Sequence, residues 1–190
     1  MSKGFVEDQH FKGINFSEES LEGTDYEACH FSNCLFTGVN LSHINFMECV
    51  FENCDLSMAK LGNTAFKDIT FKGCKLLGLH FEDVNPFLLA LSFTNCQLNL
   101  SSFFNLNLKK TRFVNCGLKE VDFSGADLSL AVFDNCDLLG AVFGNTMLEK
   151  ADFRTAFNYS LDPEANNIKK AKFSVSGLPG LLGKYNIEIA

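Results

Sequence analysis

The residues best suited to chemistry in this chain are its eight cysteines. Six of them recur at steps of 20 or 22 residues, namely Cys34, Cys54, Cys74, Cys96, Cys116 and Cys136. A column of thiols could bind a metal or act in redox chemistry. However, no Cys-x-x-Cys pair exists, and zinc needs ligands that converge on one point. Because a buried cysteine behaves as a small apolar side chain, we expect reduced structural thiols with no metal and no cofactor.

Other catalytic signatures are weak. The four histidines, His10, His30, His43 and His80, form no His-Glu-x-x-His motif and no Ser/His/Asp arrangement. The segment 180–185 resembles a phosphate loop, but it lacks the first glycine and the hydroxyl residue that such a loop needs. We therefore expect a protein that is not an enzyme.

Composition restricts the partners and the location. The 190 residues carry a net charge of −7, which argues against direct binding to nucleic acid. There is no apolar run of 18 residues, so we expect no membrane span. The first residues are charged where a signal peptide would need an apolar run, and we expect a cytoplasmic protein.

A five-residue repeat decides the fold. Large apolar residues occupy every fifth position from Phe11 to Phe81 and again from Leu88 to Phe153, which makes 29 centres. The step of seven between the runs indicates two extra residues, a register break near 82–87. The position two before each centre holds mostly Cys, Ala, Val, Ile, Ser or Thr. Neither an α-helix nor a flat strand has this period.

A longer period of 20 residues lies on top of the first. The phrase Phe-x-Asn/Gly-Cys recurs with that spacing from Phe31 to Phe133, with one step of 22. Four sides of five residues make one coil, so the pattern predicts an all-β solenoid of square cross-section and about seven coils. At about 4.8 Å per layer the rod is roughly 35 Å long.

These repeats resemble the pentapeptide-repeat family, whose pattern is A(D/N)Lxx. The segments that begin at Ala126, Cys136 and Ala151 match it closely. The resemblance implies a right-handed quadrilateral β-helix over residues 1–157, and it implies the handedness that the period alone does not.

Residues 158–190 differ from the repeat. Asn158 and Pro163 fall on centres that they cannot fill, so we expect a degraded last coil, a short helical cap near 178–184 and a strand over 187–189. A solenoid end needs a cap, but the tail is also apolar enough to form a dimer, and both readings stay open. The candidate dimerisation residues are Leu178, Leu181, Leu182, Tyr185, Ile187 and Ile189.

The tail, from Leu161 onward, and the joint after Asp83 are similar to the Qnr, MfpA and microcin-immunity branch of the family. That resemblance implies a homodimer and a rod that mimics duplex DNA to occupy a type II topoisomerase, DNA gyrase, as in quinolone resistance. Qnr proteins carry long loops, whereas the interruption here is only two residues. The alternative is a generic protein-interaction scaffold with an unrelated partner.

The charge divides into bands along the chain. Residues 1–60 and 120–167 each carry −7, and the segment between them carries +4. Mimicry would use exposed carboxylates, whereas acidity could also serve solubility alone. We choose the second band as the candidate partner-binding surface, which comprises Asp122, Asp127, Asp134, Asp137 and Asp152.

Overall fold

The computed structural model describes residues 4–21 and 25–188. The chain forms a right-handed quadrilateral β-helix of parallel strands. Four flat faces follow each other around every coil, and we number them in chain order. Face 1 begins at residues 4–8, face 2 at 9–13, face 3 at 14–18 and face 4 at 19–21, and each recurs one coil later.

Short parallel strands build faces 1 and 2. On face 1 lie β1 (Phe5–Glu7), β3 (Asp25–Glu27), β5 (Asn45–Met47) and β7 (Ala65–Lys67), in that order. On face 2 lie seven strands, listed here: β2 (His10–Lys12), β4 (His30–Ser32), β6 (Val50–Glu52), β8 (Ile69–Lys72), β9 (Leu91–Thr94), β10 (Arg112–Val114) and β11 (Val132–Asp134). Isolated parallel bridges continue the stack as far as Lys172.

The centres fill the axis of the rod. On face 2 the centres of seven consecutive layers are fully buried phenylalanines: Phe31, Phe51, Phe71, Phe93, Phe113, Phe133 and Phe153. Phe113 stacks on Phe93 and Phe133 with ring centroids 5.1 Å away on each side. The ring edges of centres on neighbouring faces meet these stacks, as Phe123 does at 5.9 Å from Phe113. The axis is therefore a continuous aromatic and aliphatic core.

A left-handed backbone conformation at the second residue after most centres turns the chain toward the next face. Asn115 (φ 53°) and Asn135 (φ 52°) adopt it, and asparagine tolerates this region better than most residues. At Gly125 (φ 70°) a Cβ atom would lie 2.0 Å from Oδ1 of Asn105 in the coil below, so a larger residue would have to displace that side chain, and glycine adopts this conformation at the least cost.

The register break lies between Asn85 and Leu91. Ala65 pairs with Asn85 at a spacing of 20, whereas Ile69 pairs with Leu91 at a spacing of 22. The extra residues bulge outward from face 1. Consequently the expected centre at Leu88 is wrong: Leu88 has a φ of 58° and is 64 % exposed, and the half-buried Leu89 packs against the core instead.

The C-terminal end is closed by short helical turns. A 3-10 turn at Val175–Gly177, α1 (Pro179–Leu182) and a second 3-10 turn at Gly183–Tyr185 follow the last coil. The buried side chains of Tyr159 and Leu161 take over where Asn158 and Pro163 cannot serve as centres. The strand expected over 187–189 is wrong for Ile187 and Glu188, which are in no strand, and Ile189 lies outside the described residues.

One 3-10 turn, Phe81–Asp83, interrupts face 4 just before the register break. None of the helices in residues 4–21 and 25–188 is long and apolar enough to cross a membrane.

Candidate partner-binding surface

The candidate aspartates of the second band do not lie on one face. Asp122 is on face 4, Asp127 on face 1 and Asp137 on face 3, while Asp134 and Asp152 are on face 2. Each is only partly exposed. The carboxylates therefore surround the rod rather than form a stripe.

Local hydrogen bonds explain why aspartate precedes a centre. The Oδ1 atom of Asp122 accepts from the backbone N–H of Ser124 at 2.8 Å, and Asp127 accepts from Ser129 in the same way at 2.9 Å. This Asx turn satisfies a backbone donor at the turn between faces. These carboxylates thus have a structural role that needs no partner.

Cations neutralise part of the second band. Arg154 donates from Nη2 to Oδ2 of Asp152 at 2.7 Å, and Lys172 lies 3.9 Å from the same oxygen. The hydrogen bond from Arg154 is the main cause that holds the pKa of Asp152 below its ordinary value, and the charge of Lys172 adds to it, although partial burial opposes the effect. Charge that is already paired contributes little to an acidic surface.

Asp137 shows the same balance on face 3. Partial burial acts to raise its pKa, but hydrogen bonds from Asn158 at 2.8 Å and from Lys119, whose Nζ lies 3.3 Å away, lower it overall. Asp134 accepts a hydrogen bond from the Thr155 hydroxyl at 2.9 Å.

The structure reveals a more compact acidic surface at the N-terminal end. Face 1 carries five carboxylates in its first three layers, and no lysine or arginine lies among the residues of those layers that the structure describes. We call these residues the acidic strip: Glu7, Asp8, Asp25, Glu27 and Glu48. Strand pairing of β1, β3 and β5 places them in consecutive layers.

Farther along, face 1 changes sign. The two-residue bulge occupies its fifth layer and exposes Phe87 (65 %) and Leu88 (64 %), with Lys67 Nζ 5.8 Å from the centroid of the Phe87 ring. The layers beyond the bulge carry five lysines, which we call the basic strip: Lys109, Lys110, Lys150, Lys169 and Lys170.

The tail residues divide into two groups. Leu181 and Leu182 are half-buried, and Leu181 packs against the core. In contrast, Leu178, Tyr185 and Ile187 are exposed, by 44 %, 52 % and 56 %.

Polar contacts fasten the tail to the last coil. Lys184 forms ion pairs with Asp162 at 2.7 Å and Glu164 at 2.6 Å. The Tyr185 hydroxyl donates to Glu164 at 3.0 Å, and the Leu161 N–H donates to the Gly180 carbonyl at 2.8 Å. The segment thus caps the rod and leaves some apolar surface outside.

Sequence comparison with known families covers most of the rod. The family profile described as pentapeptide repeat region matches residues 24–86 and 44–116, and the profile described as pentapeptide repeats (8 copies) matches residues 116–154. The chain belongs to the pentapeptide-repeat family.

Two solved structures of a pentapeptide-repeat protein share the fold. Two trypsin-treated variants of QnrB1, a plasmid-mediated fluoroquinolone resistance protein, are 23 % and 22 % identical, with TM-scores of 0.50 and 0.51. The matches cover 97 % and 98 % of this chain and 99 % and 100 % of those chains. HetL from the cyanobacterium Nostoc sp. strain PCC 7120 is 16 % identical over 88 % of this chain and 86 % of its own, with a TM-score of 0.43. No curated protein sequence matches this pentapeptide-repeat protein.

The thiols of this pentapeptide-repeat protein fill buried positions inside the coils. All eight cysteines are buried and free. The Cys74 Sγ lies 3.2 Å from the Phe51 carbonyl oxygen, and the Thr64 hydroxyl donates to the Leu41 carbonyl at 2.7 Å in an equivalent slot. Burial raises the pKa of Cys49 to about 12. Among residues 4–21 and 25–188 no cluster of three or more metal-ligating residues occurs.

The acidic strip belongs to the N-terminal band of residues 1–60, and the sequence alone did not identify it as one surface. The sequence does contain a signal for this surface. Glu7 and Glu27 are one 20-residue repeat apart, and Asp8 and Glu48 are two repeats apart. Summing charge over stretches of chain hides this arrangement, whereas summing it at the 20-residue period would have found it.

Proposed function

We propose that this pentapeptide-repeat protein is a non-enzymatic DNA mimic that occupies the DNA-binding surface of a type II topoisomerase, DNA gyrase, and protects or modulates it. The observation that carries the proposal is the acidic strip. Three layers at about 4.8 Å span about 10 Å, over which a duplex presents about six phosphate charges at one per about 1.7 Å. The strip presents five carboxylates.

The comparison supports the proposal at the level of fold. QnrB1 acts in fluoroquinolone resistance and has the same kind of rod. A role in quinolone resistance is therefore the form of protection that we propose to test first.

The second-band aspartates are the competing surface for the same function. We keep the second band as a proposed contact surface for the enzyme, with the residues Asp122, Asp127, Asp134, Asp137 and Asp152. Their distribution around the rod and the ion pairs of Asp152 make them a poorer imitation of phosphates than the acidic strip. The same distribution favours the second candidate function, a generic scaffold that binds an unrelated protein.

A supercoiling assay with purified gyrase tests the function, with and without a quinolone. The test variant combines Glu7→Gln, Asp8→Asn, Glu27→Gln and Glu48→Gln. Asparagine suits position 8, because its φ of 54° is in the left-handed region. We expect the parent to inhibit supercoiling or protect it from the drug, and the test variant to lose most of that effect.

The matched control neutralises four carboxylates of the second band, Asp122, Asp127, Asp137 and Asp152, to asparagine. It removes the same charge, and each asparagine keeps an oxygen that can accept the local backbone hydrogen bond. If only the control loses activity, the second band is the contact surface. If both variants act like the parent, charge mimicry is wrong and the scaffold proposal takes its place.

We further propose a homodimer through the exposed part of the tail, Leu178, Tyr185 and Ile187, together with Ile189. The half-buried Leu181 and Leu182, which were also candidates, have a capping role available in the structure. A tail-mediated dimer is supported by the exposed apolar side chains at the end of the rod.

A further inference from the structure

The two ends of face 1 carry net charges of opposite sign. It has nine layers: the four strands β1, β3, β5 and β7, and five further layers at Asn85, Asn107, Asp127, Met147 and Asn167. Its first four layers hold the acidic strip, Asp68 and Lys67, for a net charge of −5. Its last four layers hold the basic strip with Asp127 and Glu149, for a net charge of +3. The apolar bulge of Phe87 and Leu88 lies in the fifth layer, at the middle.

We propose that face 1 binds face 1 of a second copy of this chain in antiparallel orientation. A two-fold axis through the bulge brings the first layer of one copy opposite the ninth layer of the other, and by symmetry the reverse. Glu7 then faces Lys169, and Asp8 faces Lys170, in matching positions after their centres. A parallel arrangement would instead oppose the acidic ends of the two copies to each other and the basic ends to each other.

The centre of this interface is apolar. Phe87 and Leu88 from both copies meet at the axis, and exposed Phe5, Leu130 and Met147 lie elsewhere on the same face. An apolar centre within a charged surround is the usual anatomy of a specific interface.

The inner layers are mixed. Lys67 faces Lys109 and Glu27 faces Glu149, which are pairs of like charge. A residue of the opposite charge lies beside each pair. Asp68 faces Lys110, and Lys150, whose Nζ lies 3.5 Å from Glu149, faces Ala28 next to Glu27. The end layers therefore provide most of the complementarity.

The size of the face predicts a weak dimer. Nine layers at about 4.8 Å give a length of about 38 Å, and five residues at about 3.3 Å give a width of about 16 Å. The product, about 600 Å² per copy, is below the roughly 800 Å² per partner of a standard stable interface. Association should therefore be in the micromolar range or weaker and should depend on salt.

The interface covers the acidic strip, so a second copy would compete with any enzyme that binds the strip. Self-association is measured without an enzyme, however, and does not depend on the proposed function. If gyrase binding fails and self-association holds, only the proposed function is lost.

Charge-swap variants test the interface by sedimentation velocity. One variant carries Glu7→Lys and Asp8→Lys, and the other carries Lys169→Glu and Lys170→Glu. The rod already has lysine and glutamate at equivalent positions, as at Lys109, Lys110, Glu48 and Glu149, so both variants should fold. Circular dichroism checks the fold of each.

We expect the parent to self-associate in 0.1 M salt and to dissociate in 1 M salt, where the Debye length falls to about 3 Å. Each variant alone should associate at least tenfold more weakly, since like charges then meet at both ends. An equimolar mixture of the two variants should regain parental association, as should a chain with all four substitutions.

Tail contact is separated by repeating the series in chains that also carry Leu178→Asp and Ile187→Asp. A second swap pair, Asp68→Lys with Lys110→Glu, replaces the first if either variant fails to fold. A parent that stays monomeric throughout overturns the proposal. Association that ignores both swaps, or a mixture that does not regain it, also overturns the proposal.

Discussion

Replacement of Phe113 by alanine tests the stacked core most severely. Phe113 is fully buried, between Phe93 and Phe133 at 5.1 Å, and its ring also meets Phe103 at 6.1 Å and Phe123 at 5.9 Å. Truncating a buried phenylalanine costs about 3–5 kcal/mol. The rigid coils above and below cannot collapse into the gap, so we expect the upper part of that range.

The assay is unfolding in urea, followed by circular dichroism, with Phe87→Ala as the control. Phe87 lies on the bulge and is 65 % exposed, so its truncation should cost less than about 0.5 kcal/mol. In a thermal scan the core variant should melt roughly 8–20 °C below the parent, at about 2–4 °C for each of about 4–5 kcal/mol. A loss below about 1 kcal/mol for Phe113→Ala would refute the packing described here, as would an equal loss for both variants.

Three further predictions concern the thiols, the tail and the loss of stability at low pH. A small alkylating reagent should modify few of the eight cysteines under native conditions, since all are buried, and rapid labelling of the folded rod would contradict this. In the tail, Leu181→Asp should lower the melting temperature by uncovering the rod end. Leu178→Asp with Ile187→Asp should abolish a tail-mediated dimer in light scattering and should leave the melting temperature unchanged at protein concentrations where the parent is monomeric. The lowered pKa of Asp152 means that the folded state favours its ionised form, so its contribution to stability is present above its ordinary pKa of 3.8 and is lost as the pH falls below it. Asp152→Asn should therefore destabilise at pH 6, and the loss should shrink as the pH falls below 3.8 in urea titrations.

The sequence predicted the rod because its periodicity reflects side-chain direction. Each centre repeats one backbone conformation, so Phe113 could be placed in the core from spacing alone. Leu88 was misplaced because spacing shows that two residues are extra but not which of them point outward. The local packing at Leu89 decides that, and no composition rule reveals it.

The partner-binding surface was less predictable than the core. Outward positions carry no constraint from packing, so residue type alone does not tell whether Asp152 serves a partner or pairs with Arg154. The tail has no repeat, and its helical turns depend on contacts such as Lys184 with Glu164 that join segments distant in the sequence.

Displacement of duplex DNA from gyrase tests the central claim most directly. A fluorescently labelled duplex is bound to the purified enzyme, the protein is titrated in, and anisotropy reports the bound fraction. A DNA mimic should displace the duplex completely, and less effectively as salt rises, because exposed charges are screened within about 8–10 Å at physiological ionic strength. The variant lacking the charges of the acidic strip at Glu7, Asp8, Glu27 and Glu48 should displace it at least tenfold less well. Full retention of the duplex at saturating protein would contradict the account.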